Sequence, residues 1–342
     1  MEYAEAGGGA VSKLKLAMYC AAGCGGCDIA LLEVHEHLLD IVAAADIAFW
    51  PAATDFKYAD VEAMADGEID VCFVNGAIRN AENAHIATLL RAKSKALVAY
   101  GACSAFGGVP GLANLYSVDD VIDRAFTTQS TDVTDERLRP MPSATHAGGL
   151  ADGSAVGLPA IAGTVTSLAD VVAVDFVLPG CPPSTDRVWE VCQAIVSGEL
   201  PAAPAIVGAG TKSVCDDCRL EKQGTRVAKF VRSHEIIAED ERCLLEQGVV
   251  CMGPATRSGC GGQCTDALMP CRGCYGPAGD SLDQGAAMVA VLGTLIDSDD
   301  EAVIRETISQ VVDPAGTFYC FTLATSLLGH ARSANPDQEA RS

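Results

Sequence analysis

Apolar Leu14, Leu16 and Met18 alternate with other residues in LKLAMYC (14–20), the period of a β-strand. A tight loop, AAG-Cys24-GG-Cys27, follows it. From Asp28 the period changes to that of a helix running through IALLEVHEHLLDIVAAA, with Leu31, Val34, Leu38 and Val42 on its buried face and Glu33, Glu36, His37 and Asp40 on its wet one. DIAFW (46–50) reads as a second strand, DVCFVNG (70–76) as a third, KALVAYGAC (95–103) as a fourth and VVAVDFVLPGC (171–181) as a fifth. Helices are expected around 58–66, near 81–92 and over 186–200. Strands alternating with helices of this length indicate an α/β doubly wound parallel sheet. The nearly continuous apolar character of strands three to five fits burial on both faces. A Ser-, Thr-, Asp- and Gly-rich stretch at 127–157 reads as a surface excursion, PAAPA (201–205) as a linker, 281–296 and 300–311 as further helices. Residues 1–12 read as a lead-in and 332–342 as a tail. The expected division is a domain over 13–200 and a second over 206–330, with no internal repeat.

The second domain breaks this pattern. Residues 215–274 hold eight cysteines, Cys215, Cys218, Cys243, Cys251, Cys260, Cys264, Cys271 and Cys274, separated by recurring glycine and proline. The stretch has too little apolar periodicity for an ordinary core. Two Cys-x-x-Cys pairs and four further cysteines make two sets of four thiolates, which suits tetrahedral zinc or iron–sulfur clusters. A disulfide framework is set aside because the rest of the chain reads as intracellular.

Composition narrows the classes. A net charge of −22 argues against nucleic-acid binding, which needs clustered Lys and Arg. No apolar run is long enough for a membrane helix, and the start MEYAEAGGGAVSKLK has neither a signal-peptide apolar region nor a twin arginine. A cytoplasmic location is expected, where sixteen cysteines are not structural disulfides.

Four cysteines outside the field share a property: Cys24 and Cys27 follow strand one, Cys103 ends strand four and Cys181 ends strand five. Ligands of open parallel sheets collect at the carboxyl ends of the strands, at the topological switch point. Gly23, Gly25, Gly26, Gly101 and Gly180 beside them let backbone approach a bulky anionic inorganic core. Twelve cysteines thus form three sets of four. Of the remaining four, Cys72, Cys192 and Cys320 read as small buried hydrophobes. Cys20, beside the cluster loop, stays open between a buried thiol and one that backs the cluster. His35 and His37 are two apart on a helix, share no face and read as solvated.

GCGGC (23–27), GACSAFGGVPG (101–111), LPGCPP (178–183) and PCRGC (270–274) together resemble the small subunit of a NiFe hydrogenase, over roughly 14–325. The resemblance implies a flavodoxin-like domain binding a proximal 4Fe-4S cluster through Cys24, Cys27, Cys103 and Cys181. It implies a distal cluster on Cys215, Cys218, Cys243 and Cys251 and a medial one on Cys260, Cys264, Cys271 and Cys274. Hydrogen would be split on a partner large subunit, docked around 22–27, 103–111 and 181–184, and electrons would pass proximal, medial, distal. Uptake relatives have a histidine where Cys215 stands, usually lack the fourth medial cysteine, here Cys264, and carry an export signal. These departures point to the cytoplasmic methyl-viologen-reducing, deazaflavin-non-reducing type, whose partners include a small iron–sulfur (delta) subunit and heterodisulfide reductase. VNG (74–76) stands where many relatives have a glutamate.

Three rivals remain. Zinc would make 215–274 a structural binding module. A quinone-reductase iron–sulfur subunit shares the cluster-bearing sheet but usually begins with adjacent cysteines and lacks the cysteine field. A plain FMN-binding flavodoxin needs a Ser/Thr-rich first loop, and GCGGCD is not one.

Overall fold

In the computed structural model, which describes residues 13–127, 157–279 and 281–329, the apolar stretches become neighbours in one sheet. Its strands are β1 (Leu14–Cys20), β2 (Ala45–Phe49), β3 (Ile69–Asn75), β5 (Ser94–Tyr100), β7 (Phe176–Leu178) and β8 (Ala205–Ile206). Every pairing between them is parallel. The order is β2-β1-β3-β5-β7-β8. Counted in chain order that is 2-1-3-4-5-6, the flavodoxin-like order extended by one strand. A separate antiparallel pair joins β4 (Ile78–Asn80) to β6 (Ile161–Thr166).

Alternation along β1 explains the two layers. Leu16 and Met18 pack with Phe73, Val98 and Tyr100 against α1 (Gly26–Leu32), α2 (His37–Ala44) and α7 (Thr185–Ser197). Ala17 and Tyr19 face the other way, with Val74, Leu97 and Ala99, toward α3 (Tyr58–Ala63) and α4 (Ala81–Lys93). Successive strand side chains point to opposite faces, so a strand buried on both must be apolar throughout. Two short elements complete this region, α5 (Ala102–Phe106) and α6 (Val118–Thr127).

A second core lies beyond residue 213. Met288, Leu292 and Ile296 of α10 (Gln284–Leu295) and its end pack with Phe318, Tyr319, Cys251 and Cys271. Around it stand α8 (Val214–Asp217), α9 (Gln263–Asp266), α11 (Glu301–Ser309) and α12 (Pro314–Phe318). Gln284 is buried at 2% exposure and braces the cysteine loop. Its Nε2 donates to Thr256 Oγ1 at 3.1 Å and to the carbonyls of Gly273 and Gly276 at 3.0 Å each, and its Oε1 accepts from Thr322 Oγ1 at 3.3 Å.

The structure corrects several expectations. The single helix expected from Asp28 is two helices, broken where His35 adopts φ 56°. The break resets the helical phase, so Ile41 rather than Val42 is buried. The strand expected over 171–181 is confined to Phe176–Leu178, preceded by a single 3-10 turn at Leu168–Asp170. PAAPA is not only a connection: Ala205 and Ile206 pair with β7, and Val207 joins the sheet core. The lead-in over 1–12, the interior of the excursion over 127–157 and the tail over 332–342 lie outside the described residues. Among the described residues no helix is long and apolar enough to cross a membrane.

Candidate metal centres

The loops after β1 and β3 are bound to each other: the Ala22 and Ala77 backbones exchange hydrogen bonds of 3.0 and 2.9 Å. This is the switch point, where the strand order reverses. Cys24 lies in the loop after β1 and Cys27 in the first turn of α1; Cys103 opens α5 after β5, and Cys181 follows β7. The four sulfurs converge. Cys103, Cys181 and Cys24 are the charge neighbours of the Cys27 thiol, and Cys181 and Cys24 those of Cys103. Burial pushes Cys103 up to about 12 and Cys27 up as well. Such thiols ionise at neutral pH only when a metal holds the thiolate. Two glycines are required here by contact. A Cβ on Gly101 would lie 2.3 Å from Cys27 Sγ, and one on Gly108 would lie 2.5 Å from Cys103 Sγ. Cys24 and Cys181 are exposed, so the set opens to the surface at the strand ends.

Behind this loop lies a buried carboxylate that sequence reasoning missed. Asp28, 6% exposed, accepts from Trp50 Nε1 at 2.8 Å and from Asn75 Nδ2 at 3.0 Å. It fastens the start of α1 to the ends of β2 and β3. Asn75 of VNG was legible only as a departure from relatives; its amide is the donor this carboxylate needs.

The eight C-terminal cysteines separate into two groups. Cys215, Cys218, Cys243 and Cys251 line one cavity with Lys222, whose Nζ donates to the Cys215 carbonyl at 2.5 Å. Burial pushes Cys215 to about 11 and Cys251 to about 12. Cys260, Cys264, Cys271 and Cys274 line another cavity, together with Cys181, Arg272 and Tyr275. Burial pushes Cys271 to about 12 and raises Cys274 and Cys260.

The three groups touch in a row. Cys274 has the sulfur and backbone N–H of Cys181 among its neighbours, joining the strand-end set to the 260–274 set. The Cys271 N–H donates to Cys251 Sγ at 3.3 Å, joining that set to the third.

None of the sixteen cysteines is paired in a disulfide. Cys72 and Cys192 are buried at 0% and 3%, as small hydrophobes. Cys320 differs from that expectation: it is half-buried, accepts from Arg272 Nη2 at 3.8 Å and neighbours Cys181. Cys20 is half-buried beside Asp28 and Cys24, and burial raises it to about 11. His37 is not simply solvated; its ring stacks on Trp189 at 4.2 Å and 10°.

The family described as NADH ubiquinone oxidoreductase, 20 Kd subunit, matches residues 24–195. An F420-non-reducing hydrogenase subunit of Methanothermobacter marburgensis is 36% identical over 321 residues, 92% of this chain and 96% of that one. An F420-non-reducing hydrogenase iron-sulfur subunit of Archaeoglobus profundus is 34% identical over 321 residues, 92% of this chain and 98% of that one. Among solved structures, an H2-activated [NiFeSe]-hydrogenase of Dm. baculatum aligns over 78% of this chain and 95% of that chain, at 20% identity and a TM-score of 0.48.

Proposed function

The chain belongs to the iron–sulfur subunit family of F420-non-reducing hydrogenases, and from that premise we propose an electron-transfer small subunit holding three 4Fe-4S clusters on twelve cysteines. It is a subunit of an oxidoreductase whose hydrogen-activating site lies on the large subunit. The proximal ligands are Cys24, Cys27, Cys103 and Cys181; the medial ones Cys260, Cys264, Cys271 and Cys274; the distal ones Cys215, Cys218, Cys243 and Cys251. The observation that carries this reading is the row itself, three groups of four thiols linked through Cys181 with Cys274 and through Cys271 with Cys251. When bound, each cluster supplies a one-electron carrier, and a row of them makes a relay.

The residues fit such groups. Every set is all-thiol, and its buried members need a metal to stay ionised. Gly101 and Gly108 leave room for the sulfurs that a side chain would displace. Four thiolates would also hold a mononuclear zinc. Kinship with a chain named an iron-sulfur subunit favours clusters over zinc.

The large subunit is proposed to dock on the strand-end face, where Cys24 and Cys181 are exposed and apolar Ile29 and Val109 stand at 52% and 46% exposure. A two-domain division at 13–200 and 206–330 is supported by the two separate cores; β8 (Ala205–Ile206), which spans the boundary, packs with the sheet. A small iron–sulfur (delta) subunit and heterodisulfide reductase are proposed as electron receivers, and the cytoplasm as the location.

The test is metal analysis of the complex purified without oxygen. About twelve irons per chain are expected from three four-iron clusters. About four irons with two zincs would reinstate the zinc module.

A further inference from the structure

Tyr100 ends β5 and is completely buried, at 0% exposure. Its ring meets Phe73 edge-on at 5.5 Å. Its hydroxyl has no hydrogen-bond partner. A buried O–H left unpaired costs about 1–3 kcal/mol, and native proteins rarely keep one without a reason such as an ion or group that completes it. Phenylalanine would pack the same space without that cost.

The surroundings show what the hydroxyl can serve. The titratable groups around it are Cys27, Cys192, Asp28 and Tyr275. The Asp28 oxygens each accept one bond, from Trp50 and from Asn75, and neither is bonded to the Tyr100 hydroxyl. The Tyr275 hydroxyl is engaged with Ser184, accepting from its N–H at 3.1 Å and lying 3.3 Å from its Oγ. Cys192 is a buried thiol on α7, 3% exposed, and a neutral thiol is a weak acceptor. Cys27 packs against the same core as Tyr100, and its sulfur abuts the backbone of the next residue, Gly101. An iron-bound thiolate carries negative charge and accepts strongly.

We propose that the Tyr100 O–H donates a hydrogen bond to the Cys27 sulfur when that sulfur is bound to iron, and so holds the proximal cluster at a higher reduction potential than phenylalanine would. Tyr100 is a positioning residue that acts through a ligand. Reduction adds negative charge to the cluster and its sulfurs, and a donor aimed at one of them stabilises the reduced form. The inference rests on Cys24, Cys27, Cys103 and Cys181 holding a cluster.

The test uses the whole complex, purified anaerobically, with the proximal signal followed by EPR-monitored redox titration. In Tyr100→Phe the iron content stays at the wild-type value. The ratio of reduced to oxidised proximal cluster at a fixed poise falls about tenfold, equivalent to 59 mV for a one-electron couple. Replacing Tyr100 by 2,3,5-trifluorotyrosine, a stronger donor of nearly the same shape, moves the ratio the other way. That second variant keeps ring and hydroxyl, so it decides the matter even if Tyr100→Phe binds less iron. A proximal signal of normal intensity whose potential moves in neither variant overturns the proposal and leaves the cluster reading intact. A wild-type complex with no iron signal dependent on Cys24 or Cys181 overturns both.

Discussion

The backbone N–H of Cys271 is aimed at the sulfur of Cys251, 3.3 Å away, while the Met252 N–H donates to the Cys271 carbonyl at 2.9 Å. Two segments twenty residues apart are thereby paired, and each carries a cysteine of a different thiol set. A change at residue 271 is therefore felt on both sides. On the proposed assignment, Cys271→Ala removes one of the four medial ligands. The distal cluster, which keeps its four thiols, loses only the order of a backbone donor to Cys251. Iron analysis should show loss from the medial site, and EPR should show a shifted distal signal at undiminished intensity. A distal signal identical to wild type would argue against the coupling.

Cys264 lies exposed on α9, with Cys260 shortly before that helix begins. Three cysteine ligands favour a 3Fe-4S core, and cluster type and ligands set the potential. The oxidised wild-type complex is expected to lack a stoichiometric 3Fe-4S EPR signal, and Cys264→Ala to acquire one. A strong signal already present in wild type and unchanged by the substitution would make Cys264 a bystander.

Gln284 ties Gly273 and Gly276 on either side of Cys274 to Thr256 and Thr322. Gln284→Leu has nearly the same volume but removes the side-chain donor that the Gly273 and Gly276 carbonyls share with the N–H groups of Gly276 and Arg257, and it takes the acceptor from the buried Thr322 hydroxyl. The expected cost is about 2 kcal/mol, from the lost hydrogen bonds and the unpaired Thr322 hydroxyl. It should appear as an earlier midpoint in anaerobic denaturant unfolding, with medial iron lost before the sheet unfolds by circular dichroism.

Asn75→Ala removes one of the two donors to the buried Asp28 carboxylate, leaving Trp50 alone. A destabilisation of about 2 kcal/mol is expected from the unpaired oxygen. Because Asp28 follows Cys27 directly, the proximal cluster should also be lost faster on exposure to chelator. Unchanged chelation kinetics would confine Asp28 to stability.

Cys181 is exposed at the strand ends, whereas Cys72 is 0% exposed inside β3. Cys181→Ala should abolish hydrogen-dependent viologen reduction and weaken co-purification with the large subunit. Cys72→Ala should cost on the order of 1 kcal/mol of packing and keep all iron. Iron lost from Cys72→Ala but retained in Cys181→Ala would reverse this assignment of the cysteines.

The sequence by itself determined the alternation of strands and helices, the position of Cys24, Cys27, Cys103 and Cys181 at strand ends, and the crowding of eight cysteines in one glycine-rich field. Those features are local: a period of two against 3.6, a turn after a strand, a thiol with no apolar reason to be there. The break at His35, the short pairing of Ala205 and Ile206 with β7, and the β4–β6 pair were not legible. A two-residue edge strand or a single positive φ carries almost no periodic signal, and such features are set by the element packed against them. Only tertiary structure decided which thiols are neighbours across sets, because the pairing of Cys271 with Cys251 and of Cys274 with Cys181 depends on long-range backbone contacts. It also decided that Asp28 has Asn75 and Trp50 as donors while the Tyr100 hydroxyl has none. Hydrogen-bond satisfaction belongs to a buried site assembled from distant strands, and no single stretch of sequence contains both partners.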